Sequence, residues 1–134
     1  MEKVEIKNYI LIDDNELDIQ VNKGLLDISD SDSHSHTFLS CAEALSFISA
    51  NGEIFKNAEN IMLLDVQMPD ISGFECLQKY LELDQEIQKT TKIILLSSTI
   101  DEHDIRRAKS DPLITGIIEK PLIYEILENI LQNS

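Results

Sequence analysis

The sequence predicts an α/β fold, a doubly wound parallel sheet of five strands in the order 2-1-3-4-5 with five helices. Five short apolar segments recur at the spacing of successive strand–helix units, and three of them are apolar over four consecutive residues. Such continuous runs are typical of parallel strands that are buried on both faces. Segments with helical periodicity fill the intervals, which favours helices on both sides of the sheet. The predicted strands are Tyr9–Ile12, Thr37–Leu39, Ile61–Leu64, Ile93–Leu96 and Ile114–Ile118.

Each predicted helix follows one of these strands and shows apolar residues at helical spacing. The second helix includes residues 44–48, and Ser40 and Glu43 precede it in the pattern of a capping box. The fourth helix, residues 100–109, is short and polar. The apolar stripes of the first, third and last helices consist of Leu17, Val21, Leu25 and Ile28, of Phe74, Leu77, Leu81 and Ile87, and of Ile123, Ile126, Leu127, Ile130 and Leu131.

Residues 29–36 are rich in serine and aspartate and predict a loop between the first helix and the second strand. Aspartate and histidine alternate in this stretch, which is one pattern of a metal site. An EF-hand loop that began at Asp30 would need glycine at its sixth position and glutamate at its twelfth. Those positions hold Ser35 and Cys41. A solvated loop is therefore the favoured interpretation.

The length of 134 residues suits one domain, residues 1–134. The chain has 25 acidic residues against 11 Lys and Arg, a net charge of −14. This disfavours nucleic acids and anionic membranes as partners, because binding to them needs a basic surface. Cys41 and Cys76 lack metal-ligand spacing, so we expect reduced, buried thiols. No segment suits a signal peptide or a membrane span, and the sequence predicts a soluble, cytoplasmic protein.

Chemically useful side chains follow four of the five predicted strands. Asp13 and Asp14 follow the first strand, Asp65 follows the third, Ser97 the fourth and Lys120 the fifth. Ligands of open α/β sheets bind beyond the carboxyl ends of the strands, where the strand order reverses. In the order 2-1-3-4-5 the first and third strands are neighbours at that point. We therefore expect the three aspartates to meet there, with the serine and the lysine approaching from the other side.

Three carboxylates in one crevice repel each other unless one is protonated or a cation lies among them. An all-oxygen site with few protein ligands suits Mg²⁺, which keeps several waters and prefers carboxylate together with phosphate. A carboxylate beside Mg²⁺ and an ammonium group can attack a phosphoryl group and form an aspartyl phosphate. In that chemistry Lys120 neutralises the transferred oxygens, and the Ser97 hydroxyl donates a hydrogen bond to one of them.

At these positions the sequence resembles the receiver domain of two-component response regulators. The matching segments are ILIDDNE, MLLDVQMPDISGFE, IILLSST and GIIEKP, which occur in the family's order and cover almost the whole chain. The resemblance implies a flavodoxin-like, CheY-like fold and Asp65 as the phosphoacceptor, with Ser97 and Lys120 in contact with the phosphoryl group. The implied ligands of Mg²⁺ are Asp14 and Asp65 directly, Asp13 through a water, and Gln67 through its backbone carbonyl.

The resemblance also implies partners. The phosphodonor would be the phosphohistidine of a sensor histidine kinase or of a histidine phosphotransfer protein. Because the chain ends soon after the last predicted helix, we expect a stand-alone receiver without an output domain. It would signal by changed binding of a downstream protein to the face formed by the fourth helix, the fifth strand and the last helix. Ile117 departs from the family, which often has Tyr or Phe three residues before the lysine, so an aromatic relay is not available.

Three alternatives stay open. A phosphatase with an aspartate nucleophile usually has a second aspartate two residues later, whereas this chain has Gln67 and no spare length for a substrate cap. A flavodoxin-like electron carrier needs a Ser/Thr- and Gly-rich loop after the first strand, which is absent from the sequence. A receiver that binds without phosphorylation does not need the complete set of acids. We expect no enzymatic activity beyond self-catalysed phosphoryl uptake and autodephosphorylation.

Overall fold

The computed structural model describes residues 6–99 and 101–133 and contains a five-stranded parallel sheet in the order β2-β1-β3-β4-β5. The predicted sheet and strand order are confirmed. Within the described residues the strands are β1 (Ile6–Ile12), β2 (His34–Phe38), β3 (Ala58–Asp65), β4 (Thr91–Ser97) and β5 (Ile114–Glu119). The helices are α1 (Glu16–Ser29), α2 (Cys41–Ala50), α3 (Gly52–Lys56), α4 (Gly73–Tyr80), α5 (Gln85–Lys89), α6 (Glu102–Ser110) and α7 (Tyr124–Gln132).

The three inner strands, β1, β3 and β4, carry the core on both of their faces. Successive side chains of a strand point to opposite faces of the sheet, so a strand that is covered on both sides has a continuously apolar sequence. Helices α1 and α7 cover one face, and α2 to α6 cover the other. The side towards α2 to α6 carries Ile10, Ile12, Met62, Leu64, Ile93 and Leu95, and the side towards α1 and α7 carries Tyr9, Leu11, Ile61, Leu63, Ile94 and Leu96.

The described residues form seven helices rather than the predicted five, because the one-turn helices α3 and α5 lie in connections between larger elements. The predicted third helix ends at Tyr80 instead of continuing to Ile87. Asp84 caps a new helix there, since its side chain accepts a hydrogen bond from the Glu86 backbone N–H at 2.9 Å. Leu81 is 44% exposed, whereas Ile87 is buried in α5. Helical spacing alone did not reveal this break.

Three of the four residues predicted for the apolar stripe of α1 do not face the core, whereas the fourth, Leu25, is partly buried and packs against it. Leu17, Val21 and Ile28 are 67%, 60% and 85% exposed. The helix instead buries Ile19 and Leu26, which lie seven residues apart on another side and pack against the sheet. Both sets of residues have helical spacing, so periodicity could not decide which one faces the core.

The predicted loop 29–36 is shorter in the structure, because α1 extends to Ser29 and β2 begins at His34. His36 therefore belongs to a strand, and its ring lies 5.7 Å from the ring of Phe47 and 5.3 Å from that of Phe55 between centroids. Burial, together with the neighbouring His34, lowers the pKa of His36. β2 is an edge strand with exposed positions, and for that reason its composition resembles that of a loop.

The starts of the other predicted helices are near those observed. At α2, Ser40 accepts a hydrogen bond from the Glu43 backbone N–H at 3.2 Å, which is one half of the predicted capping box. The helix predicted at 100–109 corresponds to α6, and Ile100 lies outside the described residues. In the last helix Leu127 is fully buried, but Ile123 and Ile126 are 45% exposed. No helix in the described part of the chain is long and apolar enough to cross a bilayer.

Cys41 and Cys76 form a disulfide bond between α2 and α4, so the expectation of reduced thiols was wrong. Their Cα atoms are 5.9 Å apart, although the residues are separated by 35 positions in the sequence. Both cysteines are buried, on the side of the sheet that α2 and α4 share. Sequence spacing did not indicate this pairing, because the two helices become neighbours only through the order of the strands.

We expect the disulfide to stabilise the domain, because it closes a loop of 35 residues in the unfolded chain. A disulfide that closes a loop of this length adds about 2–4 kcal/mol to the free energy of unfolding. Urea denaturation with and without dithiothreitol measures the difference, and the double variant Cys41→Ser, Cys76→Ser serves as the control that is insensitive to reductant. Two free thiols in the unreduced, unfolded wild type would contradict the pairing.

Candidate functional site

The three predicted aspartates lie together where β1 and β3 end. The two strands pair in parallel with Ile12 opposite Leu64, so the residues that follow, Asp13 and Asp65, reach the same point at the edge of the sheet. Asp14 lies beside them on the exposed side. One carboxylate oxygen from each of the three lies within 4.8 Å of the others. Asp13 and Asp65 are only 3% and 2% exposed, so two of the acids are removed from water.

Lys120 follows β5 and reaches the same cluster. Its Nζ lies 2.9 Å from Asp13 Oδ2 and 3.5 Å from Asp65 Oδ1. Its backbone N–H donates to the carbonyl oxygen of Ser97 at 2.8 Å, which holds the start of this segment against the end of β4. The structure thus brings the predicted lysine into contact with two of the three predicted acids.

Asp18 is a fourth acid at the site, and the sequence reasoning missed it. Its Oδ2 lies 3.1 Å from Lys120 Nζ, and its side chain is 40% exposed. The Asn15 side chain caps α1 by accepting from the Asp18 backbone N–H at 3.1 Å. Asp18 lies in the first turn of α1, and no motif in the sequence marked it as part of the site.

The site carries more negative charge than its single lysine balances. Burial raises the pKa of Asp65 to about 6, and the charge of Asp13 adds to the rise, while Lys120 and the Gln67 backbone N–H oppose it. Burial acts to lower the pKa of Lys120, but the hydrogen bonds to Asp13 and Asp18 and the charge of Asp65 outweigh it, and the pKa is raised. Lys120 is therefore a stable cation at neutral pH.

Ser97 is fully buried at the end of β4, and its hydroxyl is engaged with a loop. Its Oγ donates to the Thr99 carbonyl oxygen at 2.7 Å and accepts from Gln67 Nε2 at 3.0 Å. The Gln67 amide also donates to Thr99 Oγ1 at 3.1 Å, and its Oε1 accepts from the backbone N–H and the hydroxyl of Ser98. From the sequence, Gln67 had a role only through its backbone carbonyl. Its side chain ties the loop after β3 to the loop after β4.

A cleft of about 260 Å³ opens above these groups. Asp13, Asp14, Asp65, Gln67 and Lys120 contribute to its lining. Three carboxylates whose oxygens lie within 4.8 Å of one another make a hard, all-oxygen donor set of the kind that Mg²⁺ prefers. The residues present therefore fit a magnesium ion. The Gln67 backbone carbonyl stays a predicted ligand.

Ile117 lies in β5 and is half-buried, packed against the core on the side of the sheet that α2 to α6 cover. An aliphatic side chain therefore occupies the position, three residues before the lysine, where the family often has Tyr or Phe.

Gly73 holds the loop after β3 close to the site. A Cβ at this position would lie 2.6 Å from the carbonyl oxygen of Asp65 and 3.1 Å from Val66 Cα, so there is no room for a side chain. The Gly73 N–H donates to the Val66 carbonyl oxygen at 2.9 Å. Ser72 and Glu75 then begin α4 with a complete capping box. The glycine is needed for close approach of two backbone segments rather than for an unusual φ.

Replacing Gly73 by alanine should lower the free energy of unfolding by roughly 1–3 kcal/mol, because the clash is with backbone atoms that cannot rotate away. Urea denaturation measures the change. Gly24→Ala is the matched control, since a Cβ there meets nothing within 4 Å and alanine favours the helix by up to about 1 kcal/mol. If both variants were as stable as the wild type or more so, the proposed backbone contact would be wrong.

Comparison with known proteins agrees with the geometry of the site. The family model of the response regulator receiver domain matches residues 9–132. The polar-differentiation response regulator DivK of Brucella ovis is 25% identical over 127 residues, which are 93% of this chain and 96% of DivK. The autoinducer 1 sensor kinase/phosphatase LuxN of Vibrio harveyi is 34% identical over 82 residues, 60% of this chain. The matched part spans 9% of the length of LuxN.

Solved structures share the fold. A response regulator receiver protein from Dyadobacter fermentans has a TM-score of 0.85 and 29% identity, covering 95% of this chain and 96% of that one. A two component response regulator from Cytophaga hutchinsonii has a TM-score of 0.84 at 21% identity, covering 97% of both chains, and supports the fold alone. The sheet order, the family match and the full-length likeness lead to one conclusion: the chain belongs to the response regulator receiver domains, the phosphoacceptor signalling modules of two-component systems.

Proposed function

We propose that Asp65 takes a phosphoryl group from the phosphohistidine of a sensor histidine kinase or histidine phosphotransfer protein and later loses it to water. The observation that carries this proposal is the surroundings of the Asp65 carboxylate. It is 2% exposed at the edge of an open cleft, with Lys120 Nζ 3.5 Å from Oδ1 and two further aspartates beside it. A carboxylate in such a polar, cation-lined cleft can act as a nucleophile on phosphorus.

In the proposed uptake, an oxygen of Asp65 attacks the phosphorus, the phosphorus–nitrogen bond of phosphohistidine breaks, and the imidazole nitrogen keeps the electron pair. In the loss, a water oxygen attacks the phosphorus, and the bond to Asp65 breaks to restore the carboxylate and release inorganic phosphate. Lys120 lies close enough to donate to an oxygen of a phosphoryl group on Asp65. The chain promotes these steps only on itself. A phosphatase of the aspartate type would need a general acid at position 67, where Gln67 holds an amide.

We propose Mg²⁺ as the required cofactor. Asp14 and Asp65 would hold it directly, the Gln67 backbone carbonyl would complete the protein ligands, and Asp13 would act through a water. When bound, the ion supplies positive charge that stabilises the transferred oxygens. Lys120 is already shared among carboxylates, and a single ammonium group leaves the cleft negatively charged.

The exposed side of α1 is the surface that a phosphodonor protein would meet. Leu17 and Val21 are more than half exposed. Asp18 in the first turn of the same helix and Asp14 just before that helix line the cleft. A donor has to bring its histidine into the cleft and therefore covers the rim. Apolar side chains beside the rim can lose water in that contact and stabilise it.

The output we propose is changed binding of a downstream protein to the face made of α6, β5 and α7. In this proposal residues 1–134 act as one receiver domain, which the match to 96% of DivK supports.

The reaction belongs in the cytoplasm, where the ATP that histidine kinases use is available. Reducing conditions there act against disulfides, so the buried position of Cys41 and Cys76 would matter for keeping the bond.

Incubation with Mg²⁺ and phosphoramidate should add one phosphoryl group to the wild type, and Asp65→Asn should add none. Intact mass spectrometry measures the gain, and omission of Mg²⁺ should abolish it. Asp70→Asn is the matched control, because Asp70 is exposed in the loop after β3 and stands outside the cluster of three aspartates. Equal uptake by wild type and Asp65→Asn would show that another residue is the acceptor.

Signal relay should begin at Ser97. To donate to a phosphoryl oxygen, its hydroxyl must leave the Thr99 carbonyl oxygen, and its contact with Gln67 changes with it. Both of these partners belong to the link between the loops after β3 and β4, so the departure of one hydroxyl loosens the segment that leads into α6. Ile117 offers no ring for another route.

Ser97→Ala should leave phosphoryl uptake by Asp65 possible but largely uncouple it from α6. A hydrogen bond from a hydroxyl to a phosphoryl group is worth about 1.5–3 kcal/mol, which shifts a two-state population roughly tenfold to a hundredfold. With Mg²⁺ and beryllium fluoride, amide chemical shifts over residues 97–110 should respond strongly in the wild type and weakly in this variant. Ser97→Thr keeps the hydroxyl and is the control. Equal responses in wild type and Ser97→Ala would rule out this relay.

A further inference from the structure

Lys120 has one carboxylate partner more than the proposed chemistry requires. Its Nζ lies 2.9 Å from Asp13, 3.1 Å from Asp18 and 3.5 Å from Asp65. An ammonium group has three N–H donors and no acceptor. Two of these N–H groups already donate to Asp13 and Asp18, so Lys120 can turn a second N–H to a phosphoryl group on Asp65 only if one of these two acids gives way.

The three carboxylates differ in what their release would cost. The side chains of Asp13 and Asp65 are 4% and 3% exposed, and a buried carboxylate that loses its cation is left with an uncompensated charge. The Asp18 side chain is 40% exposed on the first turn of α1. Water can solvate it after release, and exposed ion pairs contribute little to stability. Asp18 is therefore the partner that gives way.

We propose that Asp18 is a positioning residue that holds Lys120 towards α1 in the unphosphorylated protein and competes with the phosphoryl group for it. This inference rests on the proposed phosphorylation of Asp65. When the phosphoryl group is in place, the N–H that served Asp18 turns to a phosphoryl oxygen. The charge of Asp18 at the cleft also repels the incoming group, which acts in the same direction. Asp18 thus slows uptake and favours the resting arrangement of the lysine.

The direct test compares initial rates of phosphoryl uptake from phosphoramidate at saturating Mg²⁺. Asp18→Asn should react roughly two- to fivefold faster than the wild type, the range expected for loss of one partly exposed ion pair. Glu16→Gln is the matched control, because Glu16 lies in the same first turn of α1, is exposed, and is absent from the ion pairs of Lys120. Asp18→Glu keeps the charge, and its longer side chain can still reach Lys120, so its rate should return to that of the wild type.

A second measurement separates release of the lysine from a general change of charge. In protein without phosphodonor, the ¹⁵N signal of Lys120 Nζ should shift in Asp18→Asn and stay in place in Glu16→Gln. If the two variants gave equal rates, or if Asp18→Asn were no faster than the wild type, the role of Asp18 would be overturned while phosphorylation of Asp65 stood. If no protein in the series took up a phosphoryl group, the proposed function would fail, and this inference with it.

Discussion

Two buried carboxylates at the ends of neighbouring strands are the constraint on which the rest of the site depends. Asp13 and Asp65 are removed from water side by side, and the charge of Asp13 makes ionisation of Asp65 less favourable. Lys120 bridges the pair but supplies only one positive charge. The cleft is therefore left with an excess of negative charge, the property that attracts a divalent cation.

Such an arrangement persists only because the backbone around it is well anchored. Beyond the end of β1, the Asp13 N–H donates to the Phe38 carbonyl oxygen at 3.1 Å, and beyond the end of β3, the Val66 N–H donates to the Leu96 carbonyl oxygen at 2.9 Å. Each aspartate is thus held by the strand next to its own. The close approach of Gly73 fixes the loop that follows. These backbone contacts keep the two carboxylates close together, although their repulsion favours moving apart.

Features that depend on one strand or one strand end were predictable from the sequence, and features that depend on packing between elements were not. The continuous apolar runs identified β1, β3 and β4. The polar residues at the ends of β3 and β5 identified Asp65 and Lys120, because strand burial and strand ends are local properties. The face of α1 that packs was missed, since Leu17 and Ile19 belong to sets with the same spacing. The disulfide between Cys41 and Cys76 joins two helices, and the sequence around either cysteine does not indicate it.

The two groups expected to contact the phosphoryl group are held in the resting protein by different kinds of interaction. Neutral hydrogen bonds to Gln67 and Thr99 hold the Ser97 hydroxyl, whereas an ion pair with the half-exposed Asp18 draws Lys120 towards α1. Salt screens exposed charges but has little effect on hydrogen bonds between neutral groups. In the proposed switch, the lysine and the serine would therefore be released under different conditions. The position of the lysine would depend on charge at the mouth of the cleft, and that of the serine on the geometry of the phosphoryl group inside it. The proposed chemistry and the proposed signal relay would thus be separable within one small site.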